Sequence, residues 1–90
     1  MDDSLFRALA DPTRRKILEL LTEKDRTAGE IAEQFPIAFA SVSHHLGVLK
    51  SAGLVATERE GQFIRYRLNT TVFQEVMRYF MTSFSGGNNA

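Results

Sequence analysis

The sequence contains no cysteine and no tryptophan, and only two of its 90 residues are proline. Without cysteine, structural disulfides, thiolate metal sites and thiol-based redox switching are all excluded. No stretch approaches the roughly 18 apolar residues that a membrane-spanning helix needs, and the first run, MDDSLFRALAD, has no features of a secretory signal. These absences predict a cytoplasmic protein that is not embedded in a membrane.

Acidic residues are absent from one long part of the chain, although the net charge is zero. No Asp or Glu occurs from Gln34 through Thr57. A surface that approaches phosphate groups excludes carboxylates, so this gap is typical of an element that faces nucleic acid. The alternative is that the segment is simply buried, but five of its residues are unsuited to a core. They are Ser41, Ser43, His44, Lys50 and Ser51.

Helix signals dominate the first half of the chain. Asp11 followed by Pro12 is typical of a helix start, because Asp accepts from free backbone amides and Pro needs no donor there. A short amphipathic segment before them predicts an additional N-terminal helix. Thr27 and Glu30 have the spacing of a capping box, so another helix begins there, and Pro36 is expected to end it one residue earlier.

The stretch ASVSHHLGVLKSAGLV predicts a further helix with two different faces. At 100° per residue, Val42, Leu46 and Leu49 form one apolar stripe. His44 lies on the opposite face among small residues, whereas His45 lies between the two faces. Because adjacent helical residues diverge by about 100°, the two histidines do not form a metal-binding pair.

The second half of the chain changes to the alternation that is typical of strands. LVATERE and QFIRYRL flank Gly61 and predict a β-hairpin, with Arg65 and Arg67 on one basic face. Asn69 or Thr70 can cap a last helix, in which large apolar residues recur at helical spacing.

The predicted order of elements is α-α-α-α-β-β-α, a mainly α fold with a small β-hairpin, and this is the arrangement of a winged helix-turn-helix. Residues 1–84 are expected to form a single domain and residues 85–90 a flexible tail. The sequence shows no nucleophile beside a base, no glycine-rich phosphate loop and no paired carboxylates. We therefore expect no enzyme activity, no catalytic residue, no metal site and no cofactor.

Four runs are specific when they occur together: DPTRRKILELL, TAGEIAEQF, SVSHHLGVLKSAGLV and REGQFIRYRL. In these runs the chain resembles the ArsR family of bacterial repressors, and most of all its small, cysteine-free autorepressors of the SdpR type. The resemblance implies a homodimer that binds an imperfect palindrome, its operator, in double-stranded DNA of its own promoter region. It also implies release by a signal, for which a small molecule, a sequestering protein or simple autoregulation by concentration remain.

The chain departs from the family pattern in its recognition helix, the helix predicted from ASVSHHLGVLKSAGLV. Ala38 stands where a capping Ser is usual, Phe39 where a polar base-reading residue is frequent, and Gly47 where Lys or Arg is frequent. Phe39 either touches a thymine methyl group or packs inward. Gly47 removes one phosphate contact.

The predicted DNA-binding residues lie on the recognition helix and the hairpin. His44 is expected at a base edge or phosphate, and His45 in a structural hydrogen bond or a backbone phosphate contact. The basic run that begins at Arg14 and Arg15 either contacts DNA or pairs with Glu19 in its own helix. The predicted set is Phe39, Ser41, Ser43, His44, His45, Lys50, Arg59, Gln62 and Arg65.

A dimer interface is predicted on the terminal helices, because the last helix carries apolar residues on more than one face. The predicted dimer-interface residues are Leu5, Phe6, Leu9, Phe73, Met77, Phe80, Met81 and Phe84.

The alternative function is a winged-helix module that binds protein instead of DNA. Such a module would present a flat apolar patch on the recognition helix.

Overall fold

The computed structural model describes residues 3–85, and within them the chain forms five helices and a three-stranded antiparallel sheet. The predicted mainly α, winged helix-turn-helix fold is confirmed. Of the predicted tail, residues 86–90 lie outside the described residues, while Ser85 still belongs to the last helix. The elements are α1 (Asp3–Ala10), α2 (Pro12–Glu23), β1 (Arg26–Thr27), α3 (Ala28–Ala32), α4 (Phe39–Ser51), β2 (Val55–Glu60), β3 (Phe63–Leu68) and α5 (Thr70–Ser85).

One strand was not predicted from the sequence. The two residues of β1 pair with β3, Arg26 opposite Tyr66 and Thr27 opposite Arg65, so the sheet has the order β1-β3-β2. Two residues are too short to show the alternation by which strands are identified in a sequence. The element order is therefore α-α-β-α-α-β-β-α, which corrects the predicted α-α-α-α-β-β-α by one strand.

The predicted helix caps at Asp11 and Thr27 are confirmed. Asp11 Oδ2 accepts from the backbone amide of Arg14 at 3.0 Å, and this hydrogen bond is the main reason that the pKa of the Asp11 carboxyl is lowered. In the capping box, Thr27 Oγ1 accepts from the Glu30 amide at 3.2 Å, while Glu30 Oε1 accepts from the Thr27 amide at 2.8 Å. These caps fix where α2 and α3 begin.

The end of α3 is earlier than Pro36 predicts. The helix stops at Ala32, and the next residues form a turn in which the amides of Gln34 and Phe35 donate to Ile31 and Ala32 carbonyls at 3.0 and 3.2 Å. Proline sets only the latest point at which a helix can end, and the turn that leads into α4 begins before it.

The core lies between α2, α3 and α4. The predicted stripe of α4 is buried, with Val42, Leu46 and Leu49 each 1% exposed or less. Ile17 of α2 and Ile31 of α3 are fully buried in the same cluster. Burial of this stripe fixes the rotation of α4 about its axis and directs its remaining residues toward solvent.

Asn69 joins the ends of three elements. Its side-chain amide donates to the Gly53 carbonyl at 3.0 Å, and its backbone amide donates to the Leu54 carbonyl at 2.9 Å. Its Oδ1 accepts from the Val72 amide at 3.3 Å, which caps α5 as predicted. Gly53, where α4 has ended, has φ +80°, and this left-handed conformation favours glycine.

The molecule is elongated because α5 extends away from the core. Its principal dimensions are 53 × 25 × 21 Å, and its radius of gyration is 14.7 Å, whereas a compact chain of this length has about 12 Å. Among the described side chains of α5 only Val76 is buried, and Met77, Phe80, Met81 and Phe84 are all at least 40% exposed. Much of the apolar surface of α5 is thus outside the chain's own core.

The missing cap at Ala38 generates a stability prediction. Ala38 has the extended backbone of an N-cap, φ −62° and ψ 145°, but no side-chain bond. Ala38→Thr supplies an oxygen for a free amide and should raise the free energy of unfolding by about 1 kcal/mol. Urea denaturation measures the change. Ala38→Val is the control, because valine has the shape of threonine but no hydroxyl group. Equal stability of the two variants would contradict the assignment of this residue as a vacant cap.

Candidate nucleic-acid interface

The outer face of α4 is exposed and contains no acidic residue. Burial is confined to the apolar stripe, so the alternative that the acid-free segment is simply buried does not hold for this face. An added Cβ at Gly47 would meet no atom within 4 Å, so the chain's own packing does not require glycine there. The exposed residues are Phe39, Ala40, Ser41, Ser43, His44, Gly47, Lys50 and Ser51.

His44 and His45 lie in the two different environments that helical periodicity predicts. His44 is exposed on the outer face. The His45 side chain is only 17% exposed, and its Nδ1 lies 3.1 Å from Arg14 Nη1 and 3.9 Å from Asp11 Oδ2. A guanidinium has donors but no acceptor, so His45 Nδ1 accepts the hydrogen bond from Arg14.

Arg14 and Arg15 have a role that the sequence did not suggest. Both side chains reach back to α1, where Arg14 Nε donates to the Ala8 carbonyl at 2.9 Å and Arg14 Nη2 to the Arg7 carbonyl at 3.1 Å. Arg15 Nη1 donates to the Leu9 carbonyl at 2.7 Å. Three of the four carbonyls that the end of a helix leaves without intrahelical partners are thereby satisfied. The signal in the sequence was a short N-terminal helix without a terminating glycine.

The β2–β3 hairpin, the wing, has a mixed face instead of the predicted basic one. The strand register places Glu58 opposite Arg65 and Glu60 opposite Phe63, so both carboxylates share the face of the arginines. Arg65 Nη2 lies 3.1 Å from Glu60 Oε1, and Arg67 Nη1 lies 3.7 Å from Glu58 Oε2. The hydrogen bond to Glu60 is also the main cause of the raised pKa of Arg65. Part of the arginine charge on this face is therefore neutralised.

Arg59 and Gln62 lie at the tip of the wing. Arg59 pairs with Ile64 in the register and therefore lies on the opposite face from Arg65. Both Arg59 and Gln62 are exposed, and Arg59 Nη1 lies 3.4 Å from the Gly61 carbonyl oxygen in the turn. The predicted wing residues thus divide between a tip and a face.

An apolar cleft of about 380 Å³ lies between the wing and the start of α4. Phe39, Phe63 and Ile64 line it, and these residues are 56%, 59% and 45% exposed. Phe39 therefore does not pack into the core, which answers one of the questions left by the sequence. Phe63 and Ile64 were not predicted as site residues, because alternation alone does not show that a strand extends beyond the core.

The predicted interface residues of the terminal helices divide into two groups. Leu5 is only 9% exposed within the chain's own core, and Leu9 and Phe73 pack against that core. Leu9 and Phe73 are only partly buried, so both keep some exposed surface, and the role of these three in a dimer stays a prediction. The Phe6 ring lies 5.7 Å from Tyr79 and 5.9 Å from Phe80, so α1 and α5 share an aromatic cluster. Met77, Phe80, Met81 and Phe84 remain exposed along α5.

No group of three or more His, Asp or Glu side chains within residues 3–85 is arranged to hold a metal ion. Over the same residues, no helix combines the length and the apolar composition that crossing a membrane requires.

Comparison with known proteins gives consistent similarities. The sequence profile of a helix-turn-helix domain family matches residues 9–58. The chain is 49% identical over 87 residues to the transcriptional repressor SdpR of Bacillus subtilis (strain 168), covering 97% of each chain. An ArsR-like transcriptional regulator from Rhodococcus sp. RHA1 superposes with a TM-score of 0.87 at 30% identity, over 97% of this chain and 82% of that one. A homodimeric winged helix-turn-helix DNA-binding domain from Mycobacterium bovis gives 0.71 and 30%, over 90% and 82%.

The different environments of the two histidines predict different effects on stability. His45→Ala leaves Arg14 Nη1 without its partner in a partly buried position, which should cost about 1–3 kcal/mol. His44→Ala, its control on the exposed face, should change the free energy of unfolding by no more than about 0.5 kcal/mol. Urea denaturation of both variants decides the matter, and a larger loss for His44→Ala would reverse the assignment.

Proposed function

The chain belongs to the ArsR family of winged helix-turn-helix transcriptional repressors, and on that premise we propose that it acts as a homodimer on inverted-repeat operator DNA. It is a DNA-binding regulator and not an enzyme. The genes that it represses include its own. The observation that carries the proposal is the exposed, acid-free outer face of α4.

The outer face of α4 is the surface that enters the major groove. The groove is about 12 Å wide and admits one helix with its side chains. His44 lies at the centre of the face, where its imidazole meets a base edge or a phosphate, and Ser41 and Ser43 lie beside it. Lys50 and the partly buried His45 contact the DNA backbone. Gly47 allows close approach of the helix backbone, since the fold itself does not require glycine there.

The wing contacts the DNA beside the major groove. Arg59 and Gln62 at the tip are the residues best placed to reach the backbone or the minor groove. Arg65 contributes less, because Glu60 already holds its guanidinium at 3.1 Å. Phe39, which is exposed at the start of α4, is suited to contact a thymine methyl group.

A homodimer explains both the exposed apolar surface and the specificity. One recognition helix offers only a few contacts of about 1–3 kcal/mol each, which cannot single out one site in a genome. Two such helices placed about 34 Å apart by a two-fold axis read an inverted repeat. Phe6, Met77, Phe80, Met81 and Phe84 provide the seam, with Leu5, Leu9 and Phe73 supporting it from within each protomer.

A module that binds protein instead of DNA is the second candidate, because the cleft of Phe39, Phe63 and Ile64 is apolar and exposed. The polar residues at the centre of the α4 face favour DNA over this alternative.

The signal that releases the repressor from DNA acts in the cytoplasm, where the operator lies. It is a small molecule, a sequestering protein or the repressor concentration itself.

The test of DNA binding uses the purified protein with its own upstream DNA. Affinity measured by fluorescence anisotropy should fall steeply with salt, because each neutralised phosphate contributes about −0.9 to the slope of log K against log salt. Arg59→Ala should reduce that slope by about one unit per subunit, whereas His44→Ala should change the selected base sequence. Scrambled DNA of equal length is the control. An absence of binding at both low and high salt would favour the protein-binding module.

The dimer seam is tested with Met81→Glu. Met81 is 63% exposed in the single chain, so the added charge should leave the fold intact but lose its water in a dimer. Light scattering should show a monomer at micromolar concentration, with specific DNA binding lost. Gln74→Glu is the control, because it adds the same charge at another exposed residue of α5 outside the proposed seam. This variant should remain dimeric. A dimeric Met81→Glu variant that still binds the operator would place the seam elsewhere.

A further inference from the structure

The Arg14 guanidinium connects two helices that have different tasks in the proposed repressor. Two of its nitrogens donate to the carbonyls of Arg7 and Ala8 in the last turn of α1, at 3.1 and 2.9 Å. The third donates to His45 Nδ1 in the middle of α4, at 3.1 Å. One planar group thus binds the end of the helix that carries Phe6 and the flank of the helix that carries His44.

The chemistry of this contact requires arginine. A guanidinium holds its donors in a rigid planar fork, whereas a lysine ammonium is a single point that cannot span three separated acceptors. The backbone of Arg14 is held as well, because its amide donates to Asp11 Oδ2 at the start of α2. The first turn of α2 is therefore the fixed base from which the fork reaches α1 and α4.

We propose that Arg14 is a positioning residue that sets the angle between α1 and α4, and with it the separation of the two recognition helices in the dimer. The inference rests on the proposed function, since it needs a dimer with its seam on α1 and α5. A change of angle at Arg14 moves each α4 relative to the two-fold axis. The spacing of the half-sites, rather than the bases within a half-site, is the quantity that Arg14 determines.

Arg15 provides a matched comparison within the same turn of α2. Its Nη1 caps the Leu9 carbonyl of α1 at 2.7 Å, so it contributes to the same helix end. Arg14 also hydrogen-bonds to His45 of α4, whereas the described hydrogen bond of the Arg15 side chain goes to α1 alone. Loss of an α1 cap alone and loss of the α1–α4 connection can therefore be separated by experiment.

The contact also determines the tautomer of His45. Because Nδ1 accepts from Arg14, the proton of the neutral ring is on Nε2. Asp11 Oδ2, 3.9 Å from Nδ1, is the other charged group beside the ring. The tautomer gives a spectroscopic signature of the Arg14 contact that is independent of DNA binding.

The experiment compares Arg14→Lys with Arg15→Lys in the full chain. DNA libraries with the two half-sites held constant and the spacer varied by single base pairs are selected with each protein. The wild type should prefer one spacing by at least about tenfold over its neighbours, since one base pair turns the half-site by about 35°. Arg14→Lys should reduce this preference to less than about threefold with an unchanged half-site sequence, while Arg15→Lys keeps the wild-type preference. Nitrogen-15 spectra should show His45 as the Nε2–H tautomer in the wild type and as a mixture in Arg14→Lys.

The outcomes are distinguishable. A folded, dimeric Arg14→Lys variant with the wild-type spacing preference would overturn the proposal, as would a Nδ1–H tautomer of His45 in the wild type. If Arg14→Lys does not fold, His45→Ala removes the same connection from the other side and must show the same loss of spacing preference. Loss of the His45 backbone contact would instead lower the affinity for all spacings equally. A wild-type protein without any spacing preference would instead refute the proposed dimer on an inverted repeat.

Discussion

Burial of one apolar stripe of α4 is the constraint on which the rest of the structure depends. Val42, Leu46 and Leu49 are at most 1% exposed, and truncation of such a leucine typically costs about 2–5 kcal/mol. In a domain of this size that is a large share of the total stability. The rotation of α4 is therefore fixed, and the acid-free face is directed outward. The same packing that stabilises the fold presents the surface that the proposed function uses.

The features predicted from the sequence are those whose cause lies within a few residues. The caps at Asp11 and Thr27 act over three residues, and the turn at Gly61 requires a φ of +64° that glycine adopts readily. The predicted exposure of His44 follows from the helical period alone. In each case the sequence contains both the group and its partner in one short window.

The features that were missed depend on partners that are distant in the chain. Arg26 pairs with Tyr66 across the sheet, and Arg14 binds His45 from 31 residues away. A composition pattern identifies a basic residue but does not show which acceptor the fold will bring to it. The wing shows the same limit, because the strand register decided that Glu60 would lie beside Arg65 and reduce the predicted basic face.

The position of α5 links stability to concentration. This helix has 16 residues and is the longest of those described. Among its described side chains, however, only Val76 is buried. A small domain buries a modest fraction of its surface. In this chain α5, although rich in large apolar side chains, contributes little to the core. In the proposed dimer that surface is covered by the second copy, so association adds directly to the free energy of unfolding. Dilution therefore has two effects at once: it lowers the stability of the fold, and it dissociates the dimer that holds the two recognition helices. A repressor that controls its own gene would then reach the operator-binding state only as its concentration rises.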